Sequence, residues 1–211
     1  MTYRDAILLQ ENTAKKVLSA TDDFGDILRI CGVDVAYSGS NNAAYCSAVI
    51  MDRNMQYLVE SIDVQTVVKH PYVPGLLMLR EAEPIFYTLK LLKNSYDLLL
   101  VDGHGLLHPR KCGLASYIGV LIDKPTIGVA KSILCGSIME DQFVRYDGAV
   151  LGFTIKKEGK KQIYVSVGHK ISLTTAIQII KRLIKKEEWV PEPLRIADLN
   201  SKNYLNFDQD T

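Results

Sequence analysis

Asp102 closes the apolar run Leu98-Leu99-Leu100-Val101, and a glycine-flanked turn with His104 follows before a second apolar run ends on Lys131. A buried strand has no packing use for a carboxylate at its end, so Asp102 is either a cap or a working group. Asp34 raises the same question inside Cys31-Gly32-Val33-Asp34-Val35-Ala36-Tyr37, because an ionised carboxylate left unpaired in a core costs several kcal/mol. Glu81, beside Arg80 and Glu83, reads by itself as part of a solvated helix face. A hard dication changes that weighing, since Mg²⁺ is held by a few carboxylate oxygens together with water and phosphate oxygens. In a two-metal arrangement one ion activates water while the other stabilises the leaving oxygen of a phosphodiester. Asp34, Asp102 and Glu81 form the economical set, provided the strands that carry the two aspartates are neighbours.

Lys131 ends Gly128-Val129-Ala130-Lys131, where an ammonium can neutralise a phosphate or orient a water; the plainer reading is a lysine snorkelling from a strand end. Pro71-Tyr72-Val73-Pro74 is a loop stiffened by two prolines, which limits the entropy lost if it inserts into a duplex. The same prolines would also break a strand and start a helix.

The elements that position these groups follow from periodicity. Residues 3–20 place Ile7, Leu8, Val17 and Leu18 at helical spacing among charges. Residues 27–37, 43–51 and 57–68 are rich in β-branched and aromatic residues, with turn signals at Ser38-Gly39-Ser40-Asn41-Asn42 and Asp52-Arg53-Asn54, so an antiparallel meander is expected. A helix over 76–93, a strand over 98–101, a helix over 114–121 and a strand over 126–130 then make a βαβ-like half. A hairpin over 143–148 and 149–155, a strand over 162–167 and a helix over 173–189 with Lys181, Arg182, Lys185 and Lys186 on one face complete the pattern. The segment after Pro191 reads as a polar tail that frays beyond Tyr204. Three antiparallel strands followed by helix, parallel strand, helix, parallel strand match the ribonuclease H-like topology. The fold class expected is therefore α/β, a mixed sheet flanked by helices, in a single domain over residues 1–211.

The 211 residues carry 25 Lys+Arg against 24 Asp+Glu, a net charge of +1, so a polyanionic partner must be met by a local basic surface. No apolar run approaches the roughly 18 residues that span a bilayer, and the N-terminus lacks the apolar core of a signal peptide. A cytoplasmic protein with no membrane partner is expected. Cys31, Cys46, Cys112 and Cys135 form no CxxC pair and read as reduced thiols, with neither a zinc site nor a disulfide framework.

Five segments together resemble the endonuclease V (deoxyinosine 3′ endonuclease) family: GVDVAY at 32–37, PYVPGLLMLRE at 71–81, DLLLVDGHGLLHPRKCGLASYIGVLIDKPTIGVAKS at 97–132, YVSVGHKISL at 164–173 and PEPLRIAD at 191–198. The resemblance implies Mg²⁺ dependence, with Mn²⁺ able to substitute, and cleavage of the second phosphodiester bond 3′ to inosine. The products would carry 3′-hydroxyl and 5′-phosphate ends. It places metal ligands on Asp34, Glu81 and Asp102, and adds Lys131, His108 and Asp198 to the catalytic set, direct metal ligation by Asp198 being the least secure because other members carry His there. His104 varies in the family and receives no catalytic role.

By the same resemblance, Pro71, Tyr72, Val73 and Pro74 form the wedge that separates strands while the altered base turns into a pocket. That pocket is expected to be built from Gly75, Leu77, Gly103, Gly105, Leu114, Ala130 and Leu134, with Leu77 and Leu114 equally readable as core. A donor aimed at the inosine carbonyl, with little room for an amine, would discriminate against adenine. The implied partner is deoxyinosine-containing DNA, met by a monomer. Two alternatives stand beside this: inosine in RNA as the substrate, and a non-catalytic nucleic-acid-binding module of the same fold.

Overall fold

A computed structural model describes residues 2–22, 25–38 and 42–209, with side chains through Leu205. In chain order the elements are α1 (Tyr3–Ala14), β1 (Arg29–Tyr37), β2 (Ala43–Asp52), β3 (Leu58–Val67), α2 (Leu77–Leu91), β4 (Leu98–Asp102), α3 (Leu114–Ile122), β5 (Thr126–Ala130), β6 (Ser137–Ile138), β7 (Phe143–Tyr146), β8 (Ala149–Lys156), β9 (Gln162–His169), α4 (Leu173–Leu183) and α5 (Glu192–Gln209). Among the described residues nine strands make one sheet in the order β3-β2-β1-β4-β5-β9-β8-β7-β6. β1, β2 and β3 form the antiparallel meander; β4 and β5 run parallel to β1, β9 pairs antiparallel with β5, and β8 antiparallel with β9. The first five strands thus have the ribonuclease H-like order and directions. The turn read at Gly39, Ser40 and Asn41 lies outside the described residues; at the other turn, Asp52 accepts from the backbone N–H groups of Asn54, Gln56 and Tyr57.

β4 has no polar alternation because both its faces are covered, as parallel sheets require. Leu99 and Val101 join α2 and α3 on one side, and Leu98 and Leu100 join α4 and the start of α5 on the other. Cys31, Cys46 and Cys112 are buried free thiols and Cys135 is half-buried, also free. Among the described residues no helix is long and apolar enough to cross a membrane.

Three sequence expectations are corrected. α1 stops at Ala14 rather than reaching 20. α4 stops at Leu183 rather than 189, because Lys185 to Glu188 offer nothing to bury and the chain turns to seat Trp189 and Val190 against the core. The segment after Pro191 is not a fraying tail: it is the 18-residue helix α5, which packs Leu194 and Ala197 on the sheet and sets Tyr204 edge-on to Tyr45, ring centroids 5.4 Å apart. Gly32 permits the close approach of its first turn, since a Cβ there would lie 2.5 Å from the Pro193 carbonyl carbon. The short strand β6 was not foreseen; its two residues are both exposed and leave no periodic signal.

Candidate active site

The parallel pairing of β1 with β4 aligns Val33 with Val101, which brings the next residues, Asp34 and Asp102, side by side. In both strands these positions follow the alternation that points toward α5, and α5 adds Asp198. Asp34, Asp102 and Asp198 each offer a carboxylate oxygen within 4.8 Å of the others. Lys131, just past the end of β5, places its Nζ 2.5 Å from Asp102 Oδ2 and 2.9 Å from Asp198 Oδ1. Lys202, one helical turn beyond Asp198, pairs with its other oxygen at 2.7 Å.

Glu81 approaches from α2, on the opposite face of the sheet, and lies outside that compact triad. It is half-buried beside the Tyr37 hydroxyl, and Arg80 stacks over the Tyr37 ring at 3.9 Å. Burial, reinforced by the charges of Asp34 and Asp102, pushes the Glu81 carboxyl up to about 8. Burial and then the Asp102 charge push Asp34, only 9% exposed, up to about 7. Asp198 is held below the usual carboxylate range because Lys202 and Lys131 outweigh the burial that opposes its ionisation. Burial opposes the Lys131 charge as well, but Asp102 and Asp198 hold the ammonium above its ordinary value.

Four carboxyls faced by two lysines, Lys131 and Lys202, leave acidic oxygens short of positive charge. The donor set is all oxygen, with neither thiolate nor imidazole in the triad, and fits a hard cation of the Mg²⁺ type rather than zinc. Ser201, fully buried on α5, donates to Asp34 Oδ2 at 3.2 Å and also lies 3.1 Å from the Asp198 carbonyl, so its hydrogen is shared.

A cavity of about 590 Å³ opens from these carboxylates. Gly75, Leu77, Gly103, Leu114, Ala130 and Leu134 line it, together with His104 and His108. Gly105 does not: it is tucked behind, against β9, with its N–H donating to Ser166 Oγ at 2.8 Å. Tyr72 stands at the cavity, 60% exposed, while Pro71, Val73 and Pro74 shape the loop that carries it between β3 and α2.

His108 has both ring nitrogens engaged. Its Nδ1 accepts the Arg110 N–H at 3.1 Å and its Nε2 lies 3.1 Å from the Gly75 carbonyl, a pattern that assigns the neutral Nε2–H tautomer. Burial pushes its pKa down to about 4, in keeping with that assignment. Gln10 and Arg110 also donate to the Gly75 carbonyl, at 3.1 and 2.6 Å. Gly75 has φ +76°, the left-handed region that glycine enters without strain, so three side chains fix one permissive residue at the cavity wall. His104 Nε2 lies 2.9 Å from the Ser132 carbonyl. His169 is remote from the site and bridges Leu18 N–H to Asp123.

Sequence reasoning missed Ser201, Lys202, Gln10 and Arg110. The first two sit one turn from Asp198, a spacing that becomes visible only once α5 is known to be helical. Gln10 and Arg110 had no sequence signal, because their common target is a backbone carbonyl.

Comparisons with known proteins agree with this architecture. A profile described as Endonuclease V matches residues 11–199. The endonuclease V of Thermofilum pendens is 43% identical over 196 residues, 90% of this chain and 84% of that protein. That of Dictyoglomus turgidum is 37% identical over 212 residues, 97% and 91% of the two chains. Among solved structures, the endonuclease V of Streptomyces avermitilis superposes with a TM-score of 0.89 at 30% identity, covering 99% of this chain and 95% of its own. The Ciona intestinalis endonuclease V, solved in complex with a 24mer DNA containing an inosine followed by a ribo-adenosine, superposes with a TM-score of 0.87 at 29% identity, covering 98% of both chains.

Proposed function

Because this chain belongs to the endonuclease V family, and is a nuclease on that ground, we propose that it is a Mg²⁺-dependent endonuclease that recognises deoxyinosine in DNA. It cuts the second phosphodiester bond on the 3′ side, leaving a 3′-hydroxyl and a 5′-phosphate, as a step in repair of deaminated adenine. The observation that carries this reading is the convergence of Asp34, Asp102 and Asp198 around Lys131 at the edge of a cavity of about 590 Å³. The Ciona relative's inosine-containing ligand supports the substrate.

Asp34, Asp102 and Asp198 would hold the metal, with Glu81 close enough to serve a second ion or to bind through water. When bound, such an ion supplies an activated water and charge stabilisation at the leaving oxygen. The protein's own groups do the rest. Lys131, paired with Asp102 and Asp198, is the cation that would turn toward the scissile phosphate, where it neutralises charge that grows in the transition state. Tyr72, on its proline-stiffened loop, fills the space left by the extruded nucleotide. Gly75, Leu77, Gly103, Leu114, Ala130 and Leu134 enclose the base, with Gly105 bracing that wall from behind. His108, neutral and bonded at both nitrogens, acts here as a positioning residue that fixes Gly75 rather than as a proton donor to the substrate.

The test is incubation of end-labelled strands carrying inosine or adenosine at one position, with Mg²⁺ and with Asp34→Ala as the blank. A nick one nucleotide beyond inosine, absent from the adenosine strand and from the blank, is expected. Equal cutting of both strands overturns the reading. A second substrate, inosine in RNA, is favoured by one observation: the nucleotide following inosine in the Ciona complex bears a 2′-hydroxyl. Single-turnover rates on matched DNA and RNA strands decide between them.

A further inference from the structure

A second cavity, of about 430 Å³, lies on the far side of the acidic site from the base-sized one. Both share Asp102, Lys131, Asp198 and Lys202 as a common wall, so the two meet where the scissile phosphate is placed above. The second cavity has an apolar floor of Val129, Leu194 and Leu199, an aromatic side in Trp189, and Lys161 and Lys202 at its edge. Lys161 Nζ lies 5.8 Å from the Trp189 ring centroid. Of the acidic groups around it, Glu188 faces Arg195 at 3.7 Å, Asp198 is paired with Lys202 at 2.7 Å and with Lys131, and Lys131 also holds Asp102, which leaves Lys161 as the cation available to a ligand.

An indole beside a lysine, on a groove continuous with a phosphate-cleaving site, has the chemistry of a nucleotide platform: the base stacks on the aromatic face and the backbone meets the positive charge. The packing of Trp189 against the α4 and β9 core holds the ring in place before any ligand arrives, which lowers the ordering cost of binding. We propose that this groove binds the nucleotide immediately 3′ of the cut, with its base stacked on Trp189 and its phosphate met by Lys161. This rests on the cleavage reading above for the direction of the strand: with inosine in the first cavity, the second receives the nucleotide that leaves with the 5′-phosphate.

The chain contains a single tryptophan, so its fluorescence reports on this groove alone. The probe is a short 5′-phosphorylated oligonucleotide without inosine, titrated into the full chain, against the same strand with an abasic first nucleotide. Saturable quenching by the first, and about tenfold weaker binding of the second, is expected from the stacking free energy of one base. Lys161→Ala should weaken the first without restoring binding of the abasic strand. Absence of quenching, or equal binding of the two strands, overturns the proposal, and neither result depends on inosine or on catalysis. On cleavable strands, an abasic site two nucleotides 3′ of inosine should lower kcat/KM about tenfold in the wild type and in Trp189→Phe, but not further in Trp189→Ala. A wild type that cuts both strands equally, or a Trp189→Ala protein that still prefers the intact strand, refutes the platform while leaving inosine-dependent cleavage standing.

Discussion

The Ser201 hydroxyl reaches Asp34 Oδ2 at 3.2 Å, joining the last helix to the first strand at the most buried carboxyl of the acidic site. Ser201 is fully buried, and its second contact, at 3.1 Å, is the carbonyl of Asp198. One hydroxyl therefore sets the spacing between two of the three triad residues. A hydrogen-bond partner behind a metal-binding carboxylate fixes its orientation, and its loss commonly costs about tenfold or more in metal affinity. We predict that Ser201→Ala folds normally and binds Mg²⁺ about tenfold more weakly by isothermal titration. Unchanged affinity would show that the hydroxyl serves packing alone.

Lys131 is paired with Asp102 and Asp198 at 2.5 and 2.9 Å and so competes for oxygens that a cation would use. Removing it should have effects of opposite sign on two measurements. In Lys131→Ala, divalent-metal binding should tighten, because the carboxylates lose a competing positive charge. The single-turnover cleavage rate should fall by about a hundredfold or more, on the scale of losing one transition-state electrostatic contact. A rate loss fully recovered by raising the metal concentration contradicts this assignment.

Tyr72 is 60% exposed at the rim of the base-sized cavity, on a loop whose two prolines restrict its alternatives. We predict that Tyr72→Ala weakens binding to an inosine-containing duplex by about tenfold and has less than about a twofold effect on the matching single strand, where no stacking gap needs filling. Equal losses on both would count against a strand-separating role.

Glu192, 2% exposed at the start of α5, accepts from Arg195 at 2.7 and 2.9 Å and from Lys185 at 2.7 Å. The Arg195 hydrogen bonds, with Lys185 adding to them, overcome burial and hold the Glu192 carboxyl down at about 2. Its folded pKa lies below the unfolded value of about 4.3, so this group's stabilisation is complete above that value and is lost as pH falls from about 4.5 toward 2. Allowing for solvent screening of the partly exposed Arg195 and Lys185, the contribution is about 1–2 kcal/mol. Denaturant midpoints of wild type and Glu192→Gln should differ at pH 7, draw closer by pH 3 and converge at about pH 2 or below. A constant gap across that window refutes the ion-pair account.

Asp34, Asp102 and Lys131 were legible because each interrupts or ends an apolar run, where an ionised group has no packing reason to be. The meander and the parallel pair were legible for a related reason: period-2 alternation and a continuous apolar run are local properties of strands with one and two covered faces. α5 was not. Its buried stripe is made of small or polar residues such as Ala197 and Ser201, and prolines at its start suggest a loop, so the pattern resembles a tail until Gly32 is seen to admit it against β1.

By itself the sequence determined which groups are chemically costly to bury, which elements carry them, and the family that their motifs resemble. Only the tertiary structure decided which of those groups meet. The register of β1 on β4 sets Asp34 beside Asp102, and the crossing of α5 over the sheet makes Asp198 the third member of the compact triad while Glu81 stands to one side. Separations of 167 residues, as between Asp34 and Ser201, leave no local periodicity to read; such contacts exist because packing one helix on one sheet face satisfies buried polar groups that neither element can satisfy alone.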